Sequence, residues 1–393
     1  MHAPLPRNRR VYLDNQATTP CDKRVLAAML PWFTENFANP HSSEHAMGRE
    51  AEDAVEDARG KVAALIGAEA REIVLTSGAT EANNMAIKGA ARFALRHHDP
   101  RRRVITFATE HKCVLESFRD LAEEGFEPVI LPVRPDGLAD LDALAAAATP
   151  ETLLVSAMAV NNEIGVVNDL AAIGAIAQQA GALFHTDAAQ AVGKIRLDVN
   201  EARIDLLSLS GHKLYGPKGI GALYVRRRPR ARLAPLFSGG GQERGLRSGT
   251  LATPLIVGLG VACELAAAEM AAEAEHLAAL SDALHTRLAA RVPGLGLNGH
   301  ATRRIAGNLN LSFPGVDAQA LMAEVPDLCV STGSACSSAE VEPSYVLLAL
   351  GLAPERAAAT LRLGLGRFTS RADIDFAADA LASAWARLAA PGE

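Results

Sequence analysis

Short apolar runs alternate with longer amphipathic segments through the first half of the chain, and this alternation constrains the fold more than any other feature. The apolar runs, most of them separated by helical patterns, lie at 72–76, 104–107, 128–133, 153–160, 183–185 and 206–209. Strands that alternate with helices form a sheet with helices packed on both faces. The sequence therefore predicts an α/β domain, with functional residues at the ends of its strands.

A second domain is expected because 393 residues exceed what one hydrophobic core usually serves. A long helical pattern at 256–292 leads out of the α/β region and is followed by one strand pattern and several alanine-rich helices. This order indicates a smaller α+β domain. We place the large domain at 16–257 and the smaller domain at 1–15 and 258–393.

Composition and termini narrow the class of protein. The net charge of −6 argues against a general nucleic-acid binder. The first ten residues lack the apolar core of a secretory signal, and the apolar stretch at 254–262 is followed by Glu264 and Glu269, which leaves it too short to span a bilayer. Five cysteines without a C-x-x-C pair fit a reducing compartment and give no zinc signature. We expect a cytoplasmic protein that binds no nucleic acid, no membrane and no metal.

A candidate phosphate site follows the strand pattern at 72–76. The sequence S-G-A-T-E-A-N-N leads from this strand into a helix predicted at 85–97. Small residues at a helix N-terminus leave backbone N–H groups free at the positive end of the helix dipole, and these groups bind phosphate. No Walker loop occurs in the sequence, and this motif is not the G-x-G-x-x-G dinucleotide fingerprint, so a singly phosphorylated ligand is favoured over ATP or NAD.

Lys213 lies in the glycine-rich turn S-G-H-K-L-Y-G-P-K-G between two apolar runs. A lysine with a buried stem at a strand end can form a Schiff base because desolvation lowers its pKa, although a surface lysine in a hairpin gives the same local pattern. Asp187 ends an earlier strand, and an aspartate in that position can keep a pyridine nitrogen protonated. With His111 available to stack on a ring, these residues indicate a pyridoxal phosphate site.

The ordered motifs closely resemble those of the cysteine desulfurases of the NifS/IscS type, within the class V aminotransferase group. The resemblance covers nearly the whole chain and rests on Y-L-D-N-Q-A-T-T-P, N-P-H-S-S-E-H, T-S-G-A-T-E-A-N-N, T-E-H-K, N-N-E-I-G, H-T-D-A-A-Q, S-G-H-K-L-Y-G-P-K-G, G-G-G-Q-E-R-G-L-R-S-G-T and S-T-G-S-A-C-S-S-A-E-V-E-P-S-Y. The last of these matches the long-loop branch rather than the branch with an R-x-G-H-x-C motif. The resemblance implies the type I pyridoxal phosphate transferase fold, with a large mixed-sheet α/β domain and a smaller α+β domain.

The resemblance also implies roles around the cofactor ring. Lys213 would bind pyridoxal 5'-phosphate covalently, Asp187 would pair with the pyridine nitrogen, and His111 would stack on the ring. Asn162 and Gln190 would face the phenolic oxygen.

The phosphate contacts come from the same resemblance. Within one chain they are Ala79, Thr80, Ser210 and His212. Thr250 would reach the phosphate in the neighbouring subunit, which makes the expected active unit a homodimer.

Substrate binding and sulfur transfer involve a third group of residues. Arg362 and Asn39 would hold the carboxylate of L-cysteine, which suits the forked donors of arginine. Cys336 lies among Ser, Thr, Gly and Ala residues without apolar periodicity, which is typical of an exposed loop where a thiol can ionise and move. The resemblance implies that Cys336 takes the sulfur as a persulfide and passes it to an acceptor such as an iron–sulfur scaffold protein. Lys213 would move the Cα proton, and His111 would move protons to and from substrate and product.

Two other classes of function stay open. A lyase for selenocysteine or cysteine sulfinate would keep the same cofactor site and depend less on Cys336. A non-enzymatic sulfur carrier or scaffold would not require Lys213 and Asp187 together.

Overall fold

The computed structural model describes residues 10–332 and 343–390. Its strands are β1 (Val11–Tyr12), β2 (Ile73–Thr76), β3 (Arg103–Phe107), β4 (Glu127–Leu131), β5 (Thr152–Ser156), β6 (Leu183–Asp187), β7 (Leu206–Ser210), β8 (Gly221–Val225), β9 (Gly296–Leu297), β10 (Asn308–Ser312), β11 (Leu328–Cys329) and β12 (Thr360–Gly364). Its helices are α1 (Lys23–Met29), α2 (Pro31–Thr34), α3 (Ala46–Leu65), α4 (Ala79–Arg96), α5 (Lys112–Glu123), α6 (Leu141–Ala147), α7 (Leu170–Gln179), α8 (Thr253–Ala289), α9 (Ala318–Ala323), α10 (Tyr345–Ala349), α11 (Pro354–Ala358) and α12 (Arg371–Leu388).

The larger part of the structure is built on a seven-stranded mixed sheet in the order β2-β8-β7-β6-β5-β3-β4. β8 is antiparallel to both of its neighbours, and the other pairs are parallel. Neighbouring residues on one strand enter different cores: Leu206 packs beneath α4, and Leu207 packs on the opposite face. The predicted α/β fold is confirmed. Strands that are covered on both faces have continuous apolar sequences, which is why these strands could be predicted from the sequence.

Two helix predictions need correction. The helix expected at 85–97 begins at Ala79, so the phosphate-binding motif forms its first turn instead of preceding it. The sequence also predicts a single helix at 22–33, but this helix is interrupted at Leu30, because Pro31 begins a second short helix and provides no N–H to continue the first.

A second hydrophobic core lies beneath a three-stranded antiparallel sheet in the order β12-β10-β9. The parallel pair of β1 and β11 joins the start of the chain to this region, and Val11 and Leu13 are buried in the same core. α12 and the C-terminal part of α8 cover it. Residues far apart in sequence therefore build this smaller unit.

α8 contributes to both cores. Ile256 and Leu259 pack into the larger core, and Leu284 and Leu288 pack into the smaller one. By length and composition α8 could cross a membrane, so the expectation that its stretch at 254–262 is too short was wrong. Its buried residues identify it as a core helix. The predicted domain boundary at 257/258 falls near its start and stays a prediction.

Candidate active site

A cavity with a volume of about 620 Å³ opens where β2, β6 and β7 end. Most of the residues predicted for the cofactor and the substrate line it. They are Ala79, Thr80, His111, Asn162, Asp187, Gln190, Ser210, His212, Lys213 and Arg362. The structure therefore brings together in one cavity residues from β6, β7, β12 and the loops beside them.

Lys213 ends a 3-10 turn, Gly211–Lys213, that follows β7 directly. Its Nζ donates to the carbonyl oxygens of Gln16, at 2.6 Å, and Ala17, at 2.7 Å. These carbonyls belong to the polar turn after β1. The lysine is thus held across the cavity by a segment that precedes it by almost two hundred residues.

Asp187 is the last residue of β6 and accepts a hydrogen bond on each carboxylate oxygen. The donors are Nδ2 of Asn83, at 2.8 Å, and the backbone N–H of Ala189, at 2.9 Å. Asn83 lies on α4 and also donates to Sγ of Cys113 at 3.1 Å. Sequence reasoning missed Asn83, although it belongs to the T-S-G-A-T-E-A-N-N motif and follows Thr80 by one turn.

His111 is the N-cap of α5. Its Nδ1 accepts from the backbone N–H of Cys113 at 3.2 Å and lies 3.0 Å from Sγ of Cys113. An Nδ1 that accepts from a backbone N–H leaves the proton of a neutral imidazole on Nε2. The Cys113 thiol, which also lines the cavity, therefore helps to fix the ring that was predicted to stack on the cofactor.

Glu110 and Glu163 are buried carboxyl groups beside this site that the sequence did not reveal. Burial raises the pKa of Glu110 well above its usual range, although its Oε1 accepts from the N–H of Met158. Burial also raises the pKa of Glu163, while the hydroxyl of Ser344 opposes the shift. Both groups lie behind the cavity wall and are not among its lining residues.

The candidate phosphate end lies at the start of α4. Gly78 is the N-cap, with a φ of 151° that side chains rarely adopt, and no side chain of the described residues caps the helix. The first amides of an 18-residue helix are consequently available to a ligand. Burial, followed by the charge of Lys213, lowers the pKa of His212 to about 4, and its Nδ1 contacts the hydroxyl of Thr18 at 3.0 Å.

Arg362 approaches the cavity from β12 of the smaller unit and is 3% exposed. Its Nη1 donates to the carbonyl oxygen of Asn162 at 3.1 Å, and its Nη2 donates to Oδ1 of Asp14 at 2.8 Å. Nε of Arg362 and Oδ1 of Asn162 are buried without a hydrogen-bond partner among the described residues. Unpaired buried polar atoms are costly, so these two atoms indicate a place for a polar ligand.

Two predicted residues lie elsewhere, and a third is not described. Thr250 and Asn39 are exposed and do not line this cavity, and Oδ1 of Asn39 accepts from the N–H of His41. Cys336 lies outside the described residues. The roles of these three residues stay predictions.

The donor set fits pyridoxal phosphate. Lys213 offers an amine, and Asp187 offers a carboxylate whose orientation is already fixed. The uncapped end of α4 offers amides to a phosphate, and Asn162, whose amide oxygen has no partner among the described residues, lines the same cavity.

Comparisons with known proteins agree with this geometry. Residues 11–376 match the family described as Aminotransferase class-V. The chain is 53% identical over 376 residues to the cysteine desulfurase IscS of Rickettsia felis, a match that covers 96% of this chain and 91% of that enzyme.

Two solved structures extend the comparison. A NifS-like protein superposes with a TM-score of 0.89 at 34% identity, and covers 96% of this chain and all of its own. A structure described as SspA in complex with cysteine superposes with a TM-score of 0.79 at 39% identity, and covers 91% of this chain and 99% of its own. The chain belongs to the class V aminotransferase family and, within that family, to the pyridoxal-phosphate-dependent cysteine desulfurases.

Proposed function

We propose that the protein converts L-cysteine to L-alanine and transfers the sulfur to Cys336 as a persulfide, from which an acceptor protein takes it. The observation that carries this proposal is the meeting of Lys213, Asp187 and Arg362 in one cavity. An amine, a fixed carboxylate and a cation for the substrate carboxylate are the groups that chemistry at the Cα of an amino acid requires.

When bound, pyridoxal phosphate supplies an electron sink that makes the Cα proton of an amino acid acidic. Asp187 would hold the pyridine nitrogen, and the amides of Ala79 and Thr80 would hold the phosphate. Nζ of Lys213 would take the Cα proton as a general base and return a proton later. Nε2 of His111 would carry protons between the substrate and the product.

Arg362 would bind the substrate carboxylate. Its Nε has no partner among the described residues, and its Nη2 is already paired with Asp14, so an incoming carboxylate can use the first and compete for the second. A fork-to-fork pair of this kind fixes orientation as well as charge. Asn39 is proposed as a second contact for the substrate carboxylate. Because Asn39 is exposed, it would make this contact only after the loop around it meets the substrate or another subunit.

The thiolate of Cys336 would attack the sulfur of the substrate. A sulfur–sulfur bond forms, the Cβ–sulfur bond breaks, and its electron pair remains on the substrate carbon, where protonation gives alanine. A reductant or acceptor then removes the terminal sulfur. A lyase for selenocysteine or cysteine sulfinate is the competing proposal, because it needs the same cofactor site.

We also propose a homodimer in which Thr250 completes the phosphate site of the partner. The loop that ends at Thr250 is held rigidly by a buried ion pair between Arg59 and Glu243, at 2.7 Å, and by a contact between Arg247 and Glu81 at 3.0 Å. Thr250 is exposed beyond these anchors and does not line the cavity of its own chain.

The cysteines of the protein favour a cytoplasmic location, because the four that the structure describes are free thiols.

The test is incubation with L-cysteine, followed by measurement of alanine, sulfide and protein persulfide with and without a thiol reductant. We expect one alanine for each sulfur released, and sulfide that depends on the reductant. Selenocysteine and cysteine sulfinate serve as competing substrates. Faster turnover of either one, unaffected by Cys336→Ala, would contradict the proposal.

A further inference from the structure

We propose that Lys194 is a positioning residue that orients the side-chain amide of Gln190 toward the cofactor. The inference rests on the proposed function, because it concerns the ring oxygen of a cofactor held at Lys213. It adds a residue that none of the motifs above contains.

The contact between the two side chains defines the amide orientation. Nζ of Lys194 lies 2.6 Å from Oε1 of Gln190, which precedes it by four residues. A lysine side chain in its charged form can only donate, so the oxygen of the amide must face Lys194. Burial lowers the pKa of Lys194 to about 7, but its neutral form also carries N–H donors. The orientation therefore holds on both sides of neutral pH.

The other end of the amide faces the reaction site. Nε2 of Gln190 donates to the carbonyl oxygen of Gln16 at 2.7 Å, and the same carbonyl accepts from Nζ of Lys213 at 2.6 Å. Gln190, Gln16 and Lys213 all line the main cavity, whereas Lys194 lies behind them. Lys194 thus orients the amide so that an N–H donor, and not the amide oxygen, faces the cavity.

Charged groups around Lys194 come from each neighbouring element. Lys213 follows β7, Arg362 lies on β12, and Glu273 lies on α8. Glu273 shares a small cavity with Lys194 and is paired with Nε of Arg367 at 2.8 Å. Glu273 is therefore already ion-paired with Arg367, and the direct hydrogen-bond partner of the Lys194 ammonium is the amide of Gln190.

This arrangement has a predictable consequence for the bound cofactor. A donor at the ring oxygen stabilises negative charge there and lowers the proton affinity of the cofactor. Without Lys194, only the hydrogen bond from Nε2 to the carbonyl oxygen of Gln16 holds the amide, and the amide can turn away from that charge. The proton would then be held more tightly, and the pH midpoint of the visible absorption band would rise.

The experiment compares Lys194→Met with the parent protein by visible absorption between pH 6 and pH 10 and by far-UV circular dichroism. We expect the midpoint to rise by about one pH unit, the equivalent of one lost hydrogen bond to a charged group. Lys61→Met removes a cation that is paired with Asp57 and Glu264 on the surface, and should leave the midpoint unchanged. Lys194→Ala is the second variant if methionine is not accommodated, with the same expected direction.

A double-mutant cycle with Gln190→Leu separates orientation from direct charge effects. In the Gln190→Leu background, Lys194→Met should move the midpoint by less than about 0.3 pH units, because the group it orients is gone. A full shift in that background, or no shift in folded Lys194 variants, would overturn the inference. Absence of the visible band from the parent protein, or its attachment to a lysine other than Lys213, would instead refute the proposed function.

Discussion

The floor of the cavity and its substrate end differ in how their polar groups are paired. On the floor, Asp187 accepts two hydrogen bonds from the α/β domain itself, and Lys213 donates to two backbone carbonyls. At the substrate end, Arg362 from the smaller unit pairs with Asp14 and leaves its Nε without a partner among the described residues. The two charged side chains of the floor are held by hydrogen bonds before any ligand binds, whereas Arg362 at the substrate end keeps an Nε without a partner among the described residues.

The difference indicates how the two ligands are handled. A cofactor that stays through many turnovers is best met by groups that need no rearrangement. A substrate whose product must leave is better bound by an arginine that already has a second partner within the protein. Asp14 can take back Nη2 of Arg362 when the product carboxylate departs, so the buried cation is never left unpaired.

Loss of Lys213 should have the largest effect, because it removes the reactive group of the floor. Lys213→Ala should lower alanine formation by about 10³-fold or more, since general-base catalysis is lost along with covalent cofactor binding. Borohydride reduction and peptide mapping of the parent protein should place the pyridoxyl label on Lys213. Lys61→Ala serves as the matched surface control. A label on Lys194 or Lys218 would contradict the assignment of the floor.

Cys336→Ala should break turnover without disturbing either end of the cavity. The substrate should still bind and change the visible spectrum, because Lys213, Asp187 and Arg362 remain. Sulfide and alanine formation should fall by about 10²-fold or more, because the nucleophile is gone. Mass spectrometry of parent protein quenched during turnover provides the second measurement. Added sulfur on Cys21, Cys113, Cys263 or Cys329, with none on Cys336, would show that the nucleophile is wrongly assigned.

Sequence patterns predicted the floor better than the substrate end, for physical reasons. Asp187 and Lys213 follow strands whose continuous apolar character is readable locally, so their place at strand ends could be inferred. Asp14 and Gln16 owe their roles to contacts with Arg362 and Lys213, which lie far along the chain, and no local pattern encodes such pairing.

The start of α4 shows the same limit within a single motif. The polar character of T-S-G-A-T-E-A-N-N suggests a turn. The helix nevertheless begins at Ala79, because Gly78 is the N-cap and adopts a φ that allows the chain to enter the helix there. The early start places Asn83 one turn into the helix, where it faces Asp187. Because the predicted helix began six residues too late, the sequence did not reveal the contact between Asn83 and Asp187.

Arg362→Lys tests the substrate end. Lysine keeps the charge but loses the fork, so the Michaelis constant for L-cysteine should rise by about 10- to 100-fold, the equivalent of one or two charge-assisted hydrogen bonds. Cofactor content should stay unchanged. Arg356→Lys, on the exposed helix α11, is the matched control. A variant that loses cofactor with an unchanged Michaelis constant would show that Arg362 belongs to the floor.

The smallest effect is expected at Asn83, and it tests whether the floor is held in advance. Asn83→Ala removes one of the two donors to Asp187, while the N–H of Ala189 still holds the other carboxylate oxygen. A single hydrogen bond to a charged group is worth about 1.5 kcal/mol, so kcat/KM should fall by about tenfold. The control is Asn84→Ala. The Asn84 amide donates to the carbonyl oxygen of Thr80 one turn earlier on α4, and its loss should change kcat/KM by less than about twofold. Equal effects of the two variants would mean that Asn83 acts through the stability of α4 rather than through Asp187. A loss confined to Asn83→Ala, with an unchanged Michaelis constant, would show that the hydrogen bonds beneath the cofactor act on the chemical step and not on substrate binding.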